Sequence, residues 1–186
     1  MLEINFHPFQ NLETERLFLR RLDENDVEEV LALRGNPETM KYIPRVLAKT
    51  KEDALEHITM IEDKIINNIG INWGITIKGN SKIIGIIGHY KISAENHRAE
   101  IGYMSFPKFN GKGYMSEAIK AVVNYGFENL NLHSIEAIID PNNIASERVL
   151  QKNGFVKEAH ILENELWEGK YLDTVIYSLL RKNFKK

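Results

Sequence analysis

Two glycines set between an apolar strand pattern and an apolar helix pattern constrain this chain more than any other feature. The stretch Asn110-Gly111-Lys112-Gly113-Tyr114-Met115-Ser116-Glu117-Ala118 follows Glu100-Ile101-Gly102-Tyr103-Met104-Ser105-Phe106, which reads as a short strand closed by Pro107. After it, Ala118, Ile119, Val122, Val123 and Phe127 recur at helical spacing, so a helix of about four turns is expected to begin near Ser116. Glycines between a strand end and a helix start leave backbone N–H groups bare. Together with the positive end of the helix dipole, those donors suit a phosphate-bearing ligand. Lys112 adds a mobile positive charge. Read alone, the stretch is better taken as an ordinary turn, because short glycine patterns punctuate loops of many kinds.

At 186 residues the chain is expected to form one domain over 1–186 with a sizeable core. The formal net charge of -2 supplies no basic field to hold nucleic acid, and the closing Arg181-Lys182-Asn183-Phe184-Lys185-Lys186 reads as a solvated end. There are no cysteines, which excludes disulfides, thiolate catalysis and cysteine metal sites. That composition fits a reducing compartment, and a cytoplasmic location is expected. No apolar run approaches the roughly 20 residues needed to span a bilayer. The N-terminus lacks the basic-then-apolar order of a signal peptide. The six histidines (7, 57, 89, 97, 133, 160) show no metal-ligand spacing, so no metal is expected.

Taken in order, residues 1–13 show no clear period. Arg16–Leu22 reads as the first strand. Asp23 or Asn25 can cap a helix carrying Val27, Val30, Leu31 and Leu33, stopped by Gly35 and Pro37. A short helix is expected around Glu38–Tyr42. A longer one is opened by Thr50-x-x-Asp53, with Ala54, Leu55, Ile58, Ile61, Ile65 and Ile66 on one face. Strands follow at Asn72–Ile77 and Lys82–Tyr90, joined by Gly79-Asn80-Ser81. Gly85 and Gly88 inside the second of these mark a bulge or a close backbone approach. Further strands are expected at Arg98–Phe106, Ser134–Ile139, Phe155–Leu162 and Thr174–Leu180, with a helix over Ala145–Lys152 and a turn at Glu168-Gly169-Lys170. The order β-α-α-(α)-β-β-β-α-β-α-β-β points to an α/β fold with a mixed sheet.

A second informative stretch runs from Asp140 to Phe155. Asn143 can cap its helix, Val149 and Leu150 can face the core, and Gly154 can supply a left-handed C-cap. Asn143 and Ser146 stand three apart, so both polar groups can face one side of the helix start. Two strand–loop–helix units side by side would aim two loops at one edge of the sheet. Trp73 and Trp167 read as packing residues, although Trp167 could line a cleft beside Glu165. Lys152 reads as a helix C-terminal charge.

The chain resembles the GNAT N-acetyltransferases, and within them the ribosomal-protein N-terminal acetyltransferases. The resemblance runs from Thr14-Glu15-Arg16-Leu17 to Tyr177-Ser178-Leu179-Leu180. It is carried by Ala99-Glu100-Ile101-Gly102-Tyr103, by Gly111-Lys112-Gly113-Tyr114-x-x-Glu117-Ala118, and by Asn143-x-x-Ser146. Lys152-x-Gly154-Phe155 and Gly169-Lys170-x-x-Asp173 complete it. The fold it implies is a mixed, mostly antiparallel sheet with splayed central strands, flanked by helices. The cofactor it implies is acetyl-CoA, as co-substrate. Residues 111–116 (Gly111, Lys112, Gly113, Tyr114, Met115 and Ser116) would form the pyrophosphate loop. Met104, Ser105 and Phe106 would pair their backbone with the pantetheine arm, and Asn143 would touch it from the far side. The sequence departs from the family pattern at Asn110, where Gln or Arg is usual, and at Met115, where Gly or Ala is usual. Leu150 stands where many members place a tyrosine acid. The ribosomal type uses a serine, present here as Ser146, and the family's glutamate falls by spacing on Glu165.

The implied chemistry is attack of a neutral amine on a thioester. An α-amino group has a pKa near ~7.7–8.0, so losing its proton is easy. A free backbone N–H near Met104 or Ser105 can hold the oxyanion. A hydroxyl such as that of Ser146 can protonate the leaving thiolate. Glu165 is the expected base. It stands among Glu163 and Glu168, where a solvated loop carboxylate is the alternative, and Glu100 is the fallback. Three readings stay open: a protein N-terminal acetyltransferase, an acetyltransferase for a small amine (polyamine, amino acid or aminoglycoside), and a non-enzymatic acetyl-CoA sensor. Ser146 and Glu165 together disfavour the third. The acceptor groove is expected from Met40–Lys49 and Leu162–Lys170, and its acids favour a cationic acceptor. A homodimer is compatible with all three readings, and the sequence leaves the oligomeric state open.

Overall fold

Alternating apolar residues in the strand segments and 3.6-residue apolar stripes between them resolve, in a computed structural model that describes residues 2–185, into one eight-stranded sheet flanked by helices. The strands are β1 (Leu12–Glu13), β2 (Leu17–Arg20), β3 (Ile71–Ile77), β4 (Ile83–Ser93), β5 (Arg98–Ser105), β6 (Ser134–Ile139), β7 (Val156–Trp167) and β8 (Lys170–Leu180). The helices are α1 (Val27–Arg34), α2 (Pro37–Met40), α3 (Lys51–Ile66), α4 (Tyr114–Glu128) and α5 (Ile144–Lys152). The sheet order is β1-β2-β3-β4-β5-β6-β8-β7. β5 and β6 run parallel, joined through α4, and every other neighbouring pair is antiparallel.

Alternation along the strands sends neighbours to opposite faces. Trp73 meets Tyr125 of α4 edge-on at 5.1 Å, and His89 Nε2 lies 3.2 Å from the Val122 carbonyl. The next residue, Tyr90, lies under Lys64 of α3. So α4 covers one face and α3, with α1 against it, covers the other. Leu17, Leu19, Trp73, Ile86, Ile119, Val122 and Phe127 are fully buried between these layers. The Thr50–Asp53 capping box at the start of α3 forms in both directions. Asp23 caps a short 3-10 turn, Glu24–Asp26, that leads into α1.

Several boundaries differ from the sequence reading. The lead-in has no period, yet Phe6 is buried and Gln10 accepts from Trp73 Nε1 at 2.8 Å, so single long-range contacts order it. α4 begins two residues early, at Tyr114, because Gly113 turns left-handed (φ +81°) and releases the chain straight into the helix. β7 does not stop at Leu162 but reaches Trp167, and β8 starts at Lys170 rather than Thr174. Much of β7 is solvent-exposed, so no apolar alternation advertises it, and pairing with β8 makes it a strand. Glu168 and Gly169 (φ +47° and +77°) form the tight two-residue hairpin turn. At Gly85 and Gly88 the close-approach reading holds: a Cβ on either would collide with backbone of the neighbouring strand. A register shift between Ile75 and Thr76 also lies beside Gly85.

Candidate active site

The ladder between β5 and β6 holds from Arg98↔Ser134 to Glu100↔Glu136 and then stops. Beyond Glu100 the two strands part while β5 stays paired with β4 as far as Ser105. The open side therefore exposes unpaired backbone. Phe106 N–H donates to Ile84 at 3.1 Å, and the Met104 carbonyl is turned to Gly85 of β4. Antiparallel alternation then directs Tyr103 and Ser105, not Met104 and Phe106, toward the gap. The backbone pairing expected of Met104 and Phe106 is thus already taken by β4, and the free donors fall on their odd-numbered neighbours.

A cleft of about 510 Å³ opens at this gap. Of the residues singled out from sequence, Met104, Ser105, Gly111, Gly113, Met115, Ser116, Asn143 and Ser146 line it. Phe106, Lys112 and Tyr114 stand outside that lining: Lys112 Nζ lies 5.5 Å from the Phe109 ring centroid, and the Tyr114 ring lies under the Arg16 guanidinium. The start of α4 has no side-chain cap, so its first N–H groups remain donors at the mouth of the cleft. Asn143 Oδ1 accepts from Ser146 N–H at 3.1 Å, which leaves the Asn143 amide NH2 to face a ligand. Leu150 is fully buried core.

The sequence reading missed four contributors. First, Glu117 fixes the glycine loop. It accepts from Thr14 Oγ1 at 2.5 Å, from Arg16 N–H at 2.8 Å and from Arg16 Nε at 2.7 Å, while Arg16 Nη1 donates to the Lys112 carbonyl at 3.1 Å. Burial tends to raise the Glu117 pKa, but the bonds from Thr14 and Arg16 outweigh it and hold the carboxyl below its ordinary value. Second, Arg148 and Lys152 line the cleft, so Lys152 is more than a helix-end charge. Third, Tyr103 lines it too, with its hydroxyl buried beside Ser146 but short of a well-formed hydrogen bond. Burial pushes that phenol up to about 12, and the Ser146 hydroxyl lowers it slightly. Fourth, Glu38 and Thr39 line the cleft, alongside Tyr42 and Ile43 from the stretch expected to form the acceptor groove. Tyr103 and Glu117 lie inside the motifs already quoted, so only their contacts were hidden.

A second groove, of about 410 Å³, adjoins the first. Met40, Arg45, Glu165, Trp167 and Glu168 line it, together with Ile138, Asp140 and Asp173. Tyr42 and Ile43 border both cavities. Ser146 and Glu165 therefore do not share one pocket; they lie on either side of that wall. Glu165 belongs to strand β7, not to a loop, and its carboxylate lies 3.8 Å from Arg45 Nη1. A bulge between Ile161 and Glu165 precedes it, where Glu163 turns left-handed (φ +51°) and donates its N–H to Asp173 at 2.8 Å. Asp173 also pairs with His160 Nε2 at 2.8 Å. Those two contacts, the Glu163 N–H first, hold the Asp173 carboxyl below its ordinary value. Trp167 borders the groove, as the cleft alternative had it. Glu100 sits at the last rung before the strands part. Burial first, then the neighbouring Glu136, push its carboxyl up. Among the described residues no cluster of three His, Asp or Glu side chains could hold a metal, and no helix is long and apolar enough to cross a membrane.

The family model of the acetyltransferase (GNAT) domain matches residues 16–156, which takes in the parting strands, the glycine loop and α5. The chain belongs to the GNAT acetyltransferases. It is an acyltransferase whose co-substrate is acetyl-CoA. It is 35% identical over 173 residues to the uncharacterized N-acetyltransferase YoaA of Bacillus subtilis, covering 93% of this chain and 98% of that one. It is 23% identical over 169 residues to a spermidine N(1)-acetyltransferase of Vibrio cholerae, covering 91% and 95%. The crystal structure of a ribosomal-protein-S5-alanine acetyltransferase from Vibrio fischeri shares the GNAT fold, with a TM-score of 0.82 at 24% identity over 95% of this chain and all of that one.

Proposed function

We propose that this enzyme acetylates the N-terminal α-amine of a protein by direct attack on the thioester of acetyl-CoA. The supporting observation is the pair of adjoining cavities. One carries the glycine loop, Asn143 and Ser146; the other carries Glu165; Tyr42 and Ile43 lie between. In this reading the diphosphate rests on the uncapped start of α4. Pantetheine runs along the open edge of β5, and the acceptor enters through the second groove. The protonated α-amine gives a proton to Glu165, and the neutral amine then attacks the carbonyl carbon. The oxyanion accepts from a backbone N–H of β5, Ser105 being the residue that alternation turns to the gap. As the C–S bond breaks, the Ser146 hydroxyl donates its proton to the thiolate, with Tyr103 beside it, and the second proton shed by the new amide nitrogen restores the hydroxyl.

Two specific observations favour other variants of this reading. The second groove is lined by Asp140, Glu165, Glu168 and Asp173 against Lys41 and Arg45, a net negative wall that also suits a polyamine. Glu100 stands where the strands part, with its carboxyl raised toward the range of an effective base. One experiment separates these assignments: kcat against pH for Ser146→Ala, Glu165→Gln and Glu100→Gln, on the best acceptor from a panel of peptides and small amines. Loss of a base should hurt most below the amine pKa and recover toward pH ~9, where an α-amine is already neutral. Ser146→Ala should lower kcat by roughly 10²–10⁴-fold with acetyl-CoA binding retained. A Glu165→Gln profile parallel to wild type, with rescue at high pH seen in Glu100→Gln instead, moves the base to Glu100.

A further inference from the structure

Tyr103 of β5 and Ser146 in the first turn of α5 line the same cleft of about 510 Å³. The topology brings them there from one side of the sheet. Residues opposite one another in the β4–β5 ladder share a face, so Ile101, across from His89, and Tyr103, two residues on, point to the face that α4 covers. α5 lies on that face as well: Asn153 Nδ2, at its C-terminal end, donates to Ser116 Oγ of α4 at 3.1 Å. The Tyr103 hydroxyl is buried and has no well-formed hydrogen bond, and the Ser146 side chain is its polar neighbour. Ser146 is held through its backbone, whose N–H donates to Asn143 Oδ1 at 3.1 Å. That bond fixes the serine Cα and leaves its hydroxyl free to rotate.

A buried phenol without a partner costs free energy, and a small rotation of the serine supplies one. We infer that Tyr103 is a positioning residue for acetyl transfer: its O–H donates to Ser146 Oγ and turns the serine proton into the cleft, toward the departing sulfur. The direction follows from acidity. A phenol is a better donor than an alkyl hydroxyl, and a serine oxygen has two lone pairs but one proton. With one lone pair held by Tyr103, the serine proton has the cleft to point into. Burial pushes the Tyr103 phenol up to about 12, so it keeps its own proton across the working range. The step balances without ionising the phenol. The C–S bond breaks, its electron pair stays on sulfur, and the Ser146 proton passes to that sulfur. The negative charge developing on Oγ is met by the Tyr103 O–H until the proton shed by the new amide nitrogen restores the serine.

The inference rests on the reading of Ser146 as the proton donor, and a double-mutant cycle separates the two. Wild type, Tyr103→Phe, Ser146→Ala and the double variant are compared in single turnovers of acetyl-CoA with the best acceptor from the panel above, so that product release does not mask the step. Calorimetric titration gives the acetyl-CoA Kd of each, and thermal melts check that each is folded. Tyr103→Phe keeps the ring and removes only the buried oxygen. It is expected to slow transfer by about 10–100-fold, the worth of a hydrogen bond to a group that gains charge, with Kd unchanged. The double variant is expected to be no slower than Ser146→Ala, because without the serine hydroxyl the phenol has nothing to orient. Wild-type transfer by Tyr103→Phe, a double variant slower by the product of the two single losses, or a Tyr103→Phe defect confined to Kd each overturns the positioning role while leaving Ser146 as the donor. Wild-type transfer by Ser146→Ala overturns the donor reading, and this inference with it.

Discussion

Glu117→Ala should loosen the glycine loop and destabilise the fold together, because one carboxylate ties α4 to the β1–β2 hairpin and, through Arg16, to Lys112. The Glu117 side chain is only 18% exposed, whereas that of Arg16 is 43% exposed. Water can therefore replace much of the ion pair, which is worth at most about 1 kcal/mol. The bonds from the Thr14 hydroxyl and the Arg16 N–H are better shielded and contribute about 1 kcal/mol each. The total is about 2–3 kcal/mol, or roughly 4–12 °C in Tm for a chain of this size. The pH dependence has a definite sign. The folded carboxyl titrates below its unfolded value of about 4.3, so its contribution is fully present above that value and fades as pH falls through the folded one. Calorimetry of wild type and variant should show a constant Tm gap from pH 8 to 5 that narrows in stronger acid. Isothermal titration should show weaker acetyl-CoA binding. A gap that survives undiminished at pH ~2 would refute the charge argument, and unchanged acetyl-CoA affinity would refute the anchoring argument.

Gly113→Val should remove most of the thermal shift that acetyl-CoA gives, a shift of about 2.7 kcal/mol at a hundredfold excess over Kd. The left-handed φ of +81° disfavours any side chain, and a Cβ there would already press on Arg16 Nη2 at 3.3 Å. A folded variant with the full shift would count against the loop as the diphosphate site. Gly88→Ala should lower the urea midpoint by an amount worth roughly 1–3 kcal/mol, since its Cβ meets the Ile71 carbonyl, which cannot swing away; an unchanged midpoint would contradict the tight β3–β4 approach. His57 and His89 should make the protein acid-sensitive. Burial, aided at His57 by Arg34 and Lys64, lowers each folded pKa to about 4, below an unfolded value near 6.5. Their stabilisation is complete above pH 6.5 and is lost as pH falls toward 4, by roughly 3 kcal/mol each. His89→Gln should flatten about half of that slope in a series of urea melts.

What the chain's own pattern determined was local. The 3.6-residue stripe of Ala118, Ile119, Val122 and Val123, the capping residues Thr50 and Asn143, and the left-handed glycines each act through neighbours in sequence, so helices and turns could be read within a few residues. The glycine loop and Ser146 were visible for the same reason. Only the tertiary structure decided which backbone groups stay free, because that depends on the β4 register: it assigns Met104 and Phe106 to β4 and leaves Tyr103 and Ser105 open. It also decided that Glu165 lies on a strand, since exposed β7 carries no apolar period and exists by pairing with β8. The tie from Glu117 to Arg16 spans 101 residues. Contacts of that kind carry no local period. They arise where the strands and helices meet, and the sequence names their members without saying that they touch.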